Sequence, residues 1–218
     1  MASWDRKDTV QVCILHVETT TIAWSFGLRN LIIPGNLPPM GLTGLPFDDA
    51  RNAAAMSVMD RGIEWCFFLD SDVVAPHDTI PRLIKHRQPI ISGVYFRRSP
   101  PIGVPVMQKP AGQWITKYPP NSVIEVDVVG AGCLLIHRSV FEKLPAQRPE
   151  FGKHWFDWAV DCNNGTHPFP SSEDFTFNYH ARKHGYKVLV DTSIKCRHIG
   201  YSESREGYYG PLENNPVT

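Results

Sequence analysis

Hydrophobic positions in this chain fall into short continuous runs separated by amphipathic stretches, the pattern of strands buried on both faces and joined by helices. Residues 10–21, VQVCILHVETTT, read as a first strand followed by a polar turn. DDARNAAAMSVMDRG over 48–62 predicts a helix: Asp48 or Asp49 can cap its start, and Gly62 stands where a helix stops. Ala50, Ala53, Ala54, Ser57 and Val58 make one small apolar face of that helix. Next come the apolar strand Trp65 to Leu69, a short helix over PRLIKHR (81–87), and a second apolar strand over PIISGVYF (89–96), bounded by Pro89 and Arg97. The order β, α, β, α, β predicts an α/β domain.

The strand at 65–69 runs straight into Asp70-Ser71-Asp72. Two carboxylates spaced i, i+2 at the end of a buried strand enter the loop above the sheet, where open α/β folds bind ligands. Carboxylate oxygens are hard ligands suited to Mg²⁺ or Mn²⁺, ions that keep coordination positions open for substrate phosphates. The competing reading is an ordinary Asp turn, since Asp and Ser commonly start turns.

Further along, VVGAGCLLIHRSVFEKL (128–144) reads as a glycine-containing strand and a helix, and SSEDFTFNYHARKHGYKVLVDTSIKCRHIG (171–200) as an acidic motif, an amphipathic helix ended by Gly185, and a late strand that leads to His198. Taken in order, ARNAAA, FFLDSDV and ISGVYF resemble the nucleotide-sugar-binding half of a GT-A fold glycosyltransferase of the family 2-like kind, and the two later segments resemble the acceptor side of the same enzymes. The resemblance spans roughly residues 10 to 200. It implies a single Rossmann-like α/β domain over 1–202, with a central, mainly parallel mixed sheet flanked by helices, and a lid or flexible tail over 203–218.

The same resemblance implies roles for individual residues. His198 would complete a cation site with Asp70 or Asp72, or both, and a neutral imidazole suits Mn²⁺ better than Mg²⁺; the alternative is an ordinary histidine at a strand end. In the inverting members the second acid of the Glu173-Asp174 pair is the general base that deprotonates the acceptor hydroxyl, which makes Asp174 the candidate base. Against this, Ser171-x-x-Asp174 also resembles a capping box, and acids in a first turn favour the helix dipole. Arg51 and Asn52, Thr19 and Glu18, and the Asp70-Ser71-Asp72 run are implied donor contacts. Trp155 or Trp158, one of the two, is expected to stack on an acceptor sugar, and Gly132 with Gly130 would let a backbone approach the substrate or only relieve packing.

Composition narrows the remaining choices. Lys plus Arg and Asp plus Glu are 22 each, so no global field favours a nucleic acid partner. MASWDRKDTV has no apolar signal core and no run reaches the ~18 apolar residues of a membrane span, so a soluble, cytoplasmic protein is expected. The five cysteines, at 13, 66, 133, 162 and 196, are dispersed without a Cys-x-x-Cys and are expected as reduced thiols. The expected activity is metal-dependent transfer of a hexosyl or pentosyl group from a UDP- or GDP-sugar to a glycan or other hydroxyl, with Mn²⁺ or Mg²⁺ as cofactor. The alternatives are a nucleotidyltransferase of related fold, disfavoured by the lack of a Gly-rich basic phosphate loop near the N-terminus, and a non-catalytic nucleotide- or carbohydrate-binding domain.

Overall fold

A computed structural model of the chain describes residues 8–15, 19–98, 102–109, 112–158, 172–201 and 206–209. The central sheet uses strands β1 (Val10–Leu15), β2 (Met40–Leu42), β3 (Trp65–Leu69), β5 (Ile90–Val94), β8 (Val123–Val126), β10 (Cys133–His137) and β11 (Val188–Lys195). Their spatial order is β2-β1-β3-β10-β5-β11-β8. Parallel pairing joins β1 to β2, β1 to β3 and β5 to β11, while β10 and β8 run against their neighbours. Five of the seven strands therefore point the same way, which makes the sheet mixed but mainly parallel, as expected.

The apolar runs alternate between the two faces because successive side chains of a strand point to opposite sides. Val10, Val12, Trp65, Phe67, Ile91, Cys133 and Leu135 enter one core layer. Cys13, Cys66, Phe68, Ile90, Leu134 and Ile136 enter the other. The first layer is covered by α1 (Ile22–Asn30) and α3 (Thr79–Lys85), the second by α2 (Phe47–Asp60), α4 (Arg138–Lys143) and α5 (Glu173–Lys183). Two small sheets complete the described chain: β4 (Val73–Val74), β12 (Arg197–Tyr201) and β13 (Glu206–Tyr209), and β6 (Met107–Lys109), β7 (Gln113–Trp114) and β9 (Val128–Val129).

Local detail departs from expectation in instructive ways. Helix α2 starts with Pro46 at its N-cap, so Asp48 and Asp49 sit inside the first turn rather than capping it. Its buried face takes Ala55, Arg51 and Asn52 along with Ala50, Ala54 and Val58. Helix α1 was not legible as a helix, since Ile22 and Phe26 are exposed and no apolar stripe marks it; Thr21 caps it by accepting from the Trp24 amide. Gly62 and Gly185 both take positive φ just past their helices, the conformation glycine adopts without a Cβ penalty. Cys13, Cys66, Cys133 and Cys196 are buried free thiols. Glu18, Ser171, Cys162, His167 and most of 203–218 lie outside the described residues.

Candidate functional site

Strands β1, β3, β5 and β11 share one direction, and β10 opposes them. One edge of the sheet thus receives the C-terminal ends of β1, β3, β5 and β11 together with the Gly130–Gly132 turn that leads into β10. Brought to this edge are Thr19 after β1, Asp70 to Asp72 after β3, Tyr95 to Arg98 after β5, and His198 after β11. Helix α5 begins here with Glu173 and Asp174 in its first turn.

The short β4–β12 pairing determines which acid meets the histidine. His198 pairs with Val73, and the Ile199 amide donates to the Asp72 carbonyl at 2.7 Å. Asp72 Oδ1 consequently lies 3.3 Å from His198 Nε2. His198 Nδ1–H donates to the Phe96 carbonyl at 2.6 Å, which fixes the ring and leaves Nε2 facing the carboxylate. The other carboxylate oxygen, Oδ2, accepts from Arg98. Burial acts to raise the Asp72 pKa, but the hydrogen bond and charge of His198, with the charge of Arg98, outweigh it and hold this carboxyl below its usual value.

Asp70 is turned another way. Its Oδ1 accepts from Arg51 Nη2 at 3.3 Å, and Arg51 Nε donates to Glu173 Oε1 at 2.9 Å. Arg51 is 3 % exposed and lies over the Phe68 ring, 5.2 Å from its centroid. Burial alone would lower the Arg51 pKa; Asp70, Glu173 and Asp174 together raise it, so the guanidinium is a fixed buried charge. The Asp70 and Glu173 carboxyls are both pushed up, first by burial and then by neighbouring acids, Asp72 and Asp174 at Asp70 and Asp174 at Glu173. Four acids thus crowd one edge around a single buried arginine. Glu173 is 5 % exposed, so it acts through Arg51 on Asp70 rather than facing the cleft.

Asp174 is half-buried. Its Oδ2 accepts from the Ala131 amide at 3.1 Å, and Oδ1 accepts from the Phe175 amide at 2.8 Å and from the Ser172 hydroxyl. It therefore stitches the start of α5 to the glycine turn before β10. In that turn the Gly132 amide donates to the Tyr95 hydroxyl at 3.1 Å, and a Cβ on Gly132 would lie 2.9 Å from Tyr95 Cζ. The space beside Gly132 is filled by protein, which gives this glycine a packing role.

Two expected contacts are placed elsewhere. Asn52 is 2 % exposed and spends its amide on the chain: Oδ1 accepts from the Trp155 and Phe156 amides, and Nδ2 donates to the Phe156 carbonyl. Trp155 is 2 % exposed, packs on Phe141 and donates its indole N–H to the Leu144 carbonyl. Of the two tryptophans only Trp158, 41 % exposed, offers an open face. Thr19 is exposed and Ser71 half-buried in the turn after β3.

Sequence reasoning missed three residues of this edge. Trp24 on α1 donates its indole N–H to the Asp70 carbonyl at 2.9 Å. Tyr95 fills the glycine turn, and Arg98 holds Asp72. The pair Arg97-Arg98 directly after an apolar strand was the available signal for Arg98; nothing in spacing links Tyr95 to glycines 35 or more positions away.

Asp70, Asp72 and His198 do not converge to within 4.8 Å as a group; among the described residues the possible Asp-Asp-His site at that spacing is Asp48, Asp49 and His154 at the start of α2. No described helix is long and apolar enough to cross a membrane.

No family model and no curated protein matches this sequence. Solved structures match it in fold. A197 from STIV superposes with a TM-score of 0.63 at 16 % identity, over 93 % of this chain and 94 % of that one. GalNAc-T7, solved with UDP, GalNAc and Mn²⁺, superposes with a TM-score of 0.59 at 11 % identity over 91 % of this chain, which spans 45 % of the GalNAc-T7 chain. At these identities the likeness is one of fold: the chain has a mixed α/β fold similar to that of a GT-A glycosyltransferase.

Proposed function

We propose that this protein is a metal-dependent glycosyltransferase that moves a sugar from a UDP- or GDP-sugar to an acceptor hydroxyl with inversion. The observation that carries the reading is the Asp72–His198 pair at the ligand edge of a GT-A-like sheet. His198 donates from Nδ1 to a backbone carbonyl and turns Nε2 toward a carboxylate 3.3 Å away, so that an ion taking the place of the proton between them would meet one nitrogen and one oxygen ligand. That N,O set fits Mn²⁺ and, less well, Mg²⁺. Asp72 and His198 would hold the ion, while Asp70 stays on Arg51. The ion would neutralise charge on the departing diphosphate.

The chain's own groups supply the rest. Asp174 would take the acceptor proton as the acceptor oxygen attacks the anomeric carbon and the nucleoside diphosphate leaves. Arg51 and Glu173 keep Asp70 in place, and Trp158 offers a ring for the acceptor sugar. Calorimetric titration of UDP and GDP with and without Mn²⁺ tests the donor side, followed by assay of sugar release and transfer. Binding that depends on Mn²⁺ and on Asp72 supports the reading; equal affinity without the ion, or in Asp72→Ala, defeats it. One observation favours a second reading, a nucleotide- or carbohydrate-binding domain without transfer: Asp174 already accepts three hydrogen bonds from the protein, so both of its oxygens are occupied. Tight Mn²⁺-dependent binding without turnover of any donor selects that alternative.

A further inference from the structure

The residue placed on Asp72 opposite His198 is an exposed cation, Arg98. We propose that Arg98 binds the diphosphate of the nucleotide donor, and that its ion pair with Asp72 is the resting position from which the incoming ion and nucleotide release it. The inference rests on the reading of Asp72 and His198 as cation ligands.

The argument begins with the division of the Asp72 carboxylate. Oδ1 faces His198 Nε2 and Oδ2 accepts from Arg98 Nη1, so a metal ion bound through Asp72 competes with Arg98 for the same negative charge. The Arg98 side chain is 52 % exposed, and an exposed ion pair is weak enough to exchange. Two other arginines of this edge are committed. Arg51 is buried with Nε on Glu173 and Nη2 on Asp70, and Arg97 lies over the Trp114 ring, 4.4 Å from its centroid. The backbone leading to Arg98 is held: the Arg97 amide donates to the Val104 carbonyl at 2.8 Å, and the Phe96 carbonyl accepts from His198.

Charge then requires the release. Asp70, Asp72, Glu173 and Asp174 surround the site, and a diphosphate cannot settle among them on the strength of one divalent ion without further positive charge. Once a cation neutralises Asp72, the guanidinium loses its partner and has a phosphate within its reach; its planar fork of donors matches phosphate oxygens. Arg98 would thus oppose metal binding in the empty protein and favour nucleotide binding in the loaded one. A merely structural surface pair would do neither.

The opposed signs make the test. Titrate wild type, Arg98→Gln, Arg98→Lys and Asp72→Ala calorimetrically, first with Mn²⁺ alone and then with UDP and GDP at saturating Mn²⁺, after confirming equal melting temperatures. Arg98→Gln is expected to bind Mn²⁺ alone up to ~5-fold more tightly, the ceiling set by an exposed pair. It is expected to bind the nucleoside diphosphate ~10- to 100-fold more weakly, through loss of a charged hydrogen bond. Arg98→Lys keeps the charge without the fork and should bind Mn²⁺ like wild type and the nucleotide at an intermediate affinity. Unchanged nucleotide affinity in Arg98→Gln, or a parallel weakening of Mn²⁺ and nucleotide, overturns the role of Arg98 while leaving the cation site standing. Equal Mn²⁺ binding by wild type and Asp72→Ala overturns the cation site itself, and the inference with it.

Discussion

The hydroxyl of Tyr95 lies 1.9 Å from the point that a Cβ on Gly130 would occupy. A ring from the end of β5 is therefore inserted into the turn before β10, and the same hydroxyl accepts from the Gly132 amide. Between the two glycines, the Ala131 amide donates to Asp174. The glycines thus set where the candidate base can sit, by admitting the tyrosine that holds the turn.

Gly130→Ala is expected to destabilise the protein by ~1–3 kcal/mol, the usual cost of overpacking, because Val106 Cγ1 at 2.7 Å closes the other side. Tyr95→Phe should relieve part of that cost. Chemical denaturation of the two single variants and the double variant measures it, and strict additivity would show that Tyr95 and Gly130 do not press on each other.

Asp72→Ala should abolish the Mn²⁺ dependence of nucleoside diphosphate binding; it also removes the partner of His198 and Arg98, so binding is compared well below the melting temperature of each protein. His198→Ala should weaken Mn²⁺ by at least the roughly 10-fold that disturbing a ligand's support costs, and shift preference toward Mg²⁺. Paired titrations with the two ions check this. Unaltered Mn²⁺ preference would remove His198 from the site.

Stability toward acid also has a source away from the cleft. Burial acts to raise the Asp191 pKa, but its hydrogen bonds from Ser193 and His86 outweigh this and lower it below the ordinary carboxylate value. A lowered pKa in the folded state means that the contribution is present above the unfolded value, near 3.8, and is lost as pH falls through the folded one. Asp191→Asn should cost on the order of 1 kcal/mol at neutral pH and flatten the acid limb of a melting profile below about pH 4. Parallel acid limbs in the two proteins would show that this carboxylate does not carry the effect.

Much of the frame was legible because burial on both faces writes itself as unbroken apolar runs. Residues 65–69, 89–96 and 187–195 each announced a strand, and Gly62 and Gly185 announced helix ends through backbone geometry. Direction of pairing was not legible, so nothing indicated that β10 enters the sheet antiparallel between β3 and β5. The same gap hid which acid meets His198: the two-residue strand β4 carries almost no pattern, yet its pairing with β12 selects Asp72 over Asp70. Arg51 and Asn52 were expected as donor contacts, and nothing in the sequence marked them as buried, because charge and amide normally face water. They are buried because Asp70, Glu173 and the Trp155–Phe156 backbone satisfy them, partners 19 to 122 positions distant in the chain.

Asp174 offers the most direct test of chemistry, and its contacts set the terms. As a helix cap it could exchange for Asn almost freely, but here Oδ2 serves the Ala131 amide while Oδ1 serves the Phe175 amide and the Ser172 hydroxyl. An amide side chain has one acceptor oxygen, so Asp174→Asn leaves at least one of these donors without its partner and should cost ~1–3 kcal/mol of stability whatever the catalytic role. Activity must therefore be read well below the melting temperature, at saturating donor and Mn²⁺. If Asp174 accepts the acceptor's proton, the turnover rate should fall ~10²-fold to 10⁴-fold with donor affinity retained. A variant that is less stable but turns over at near-normal rate would assign Asp174 to holding the glycine turn, and the inverting mechanism would lose its base.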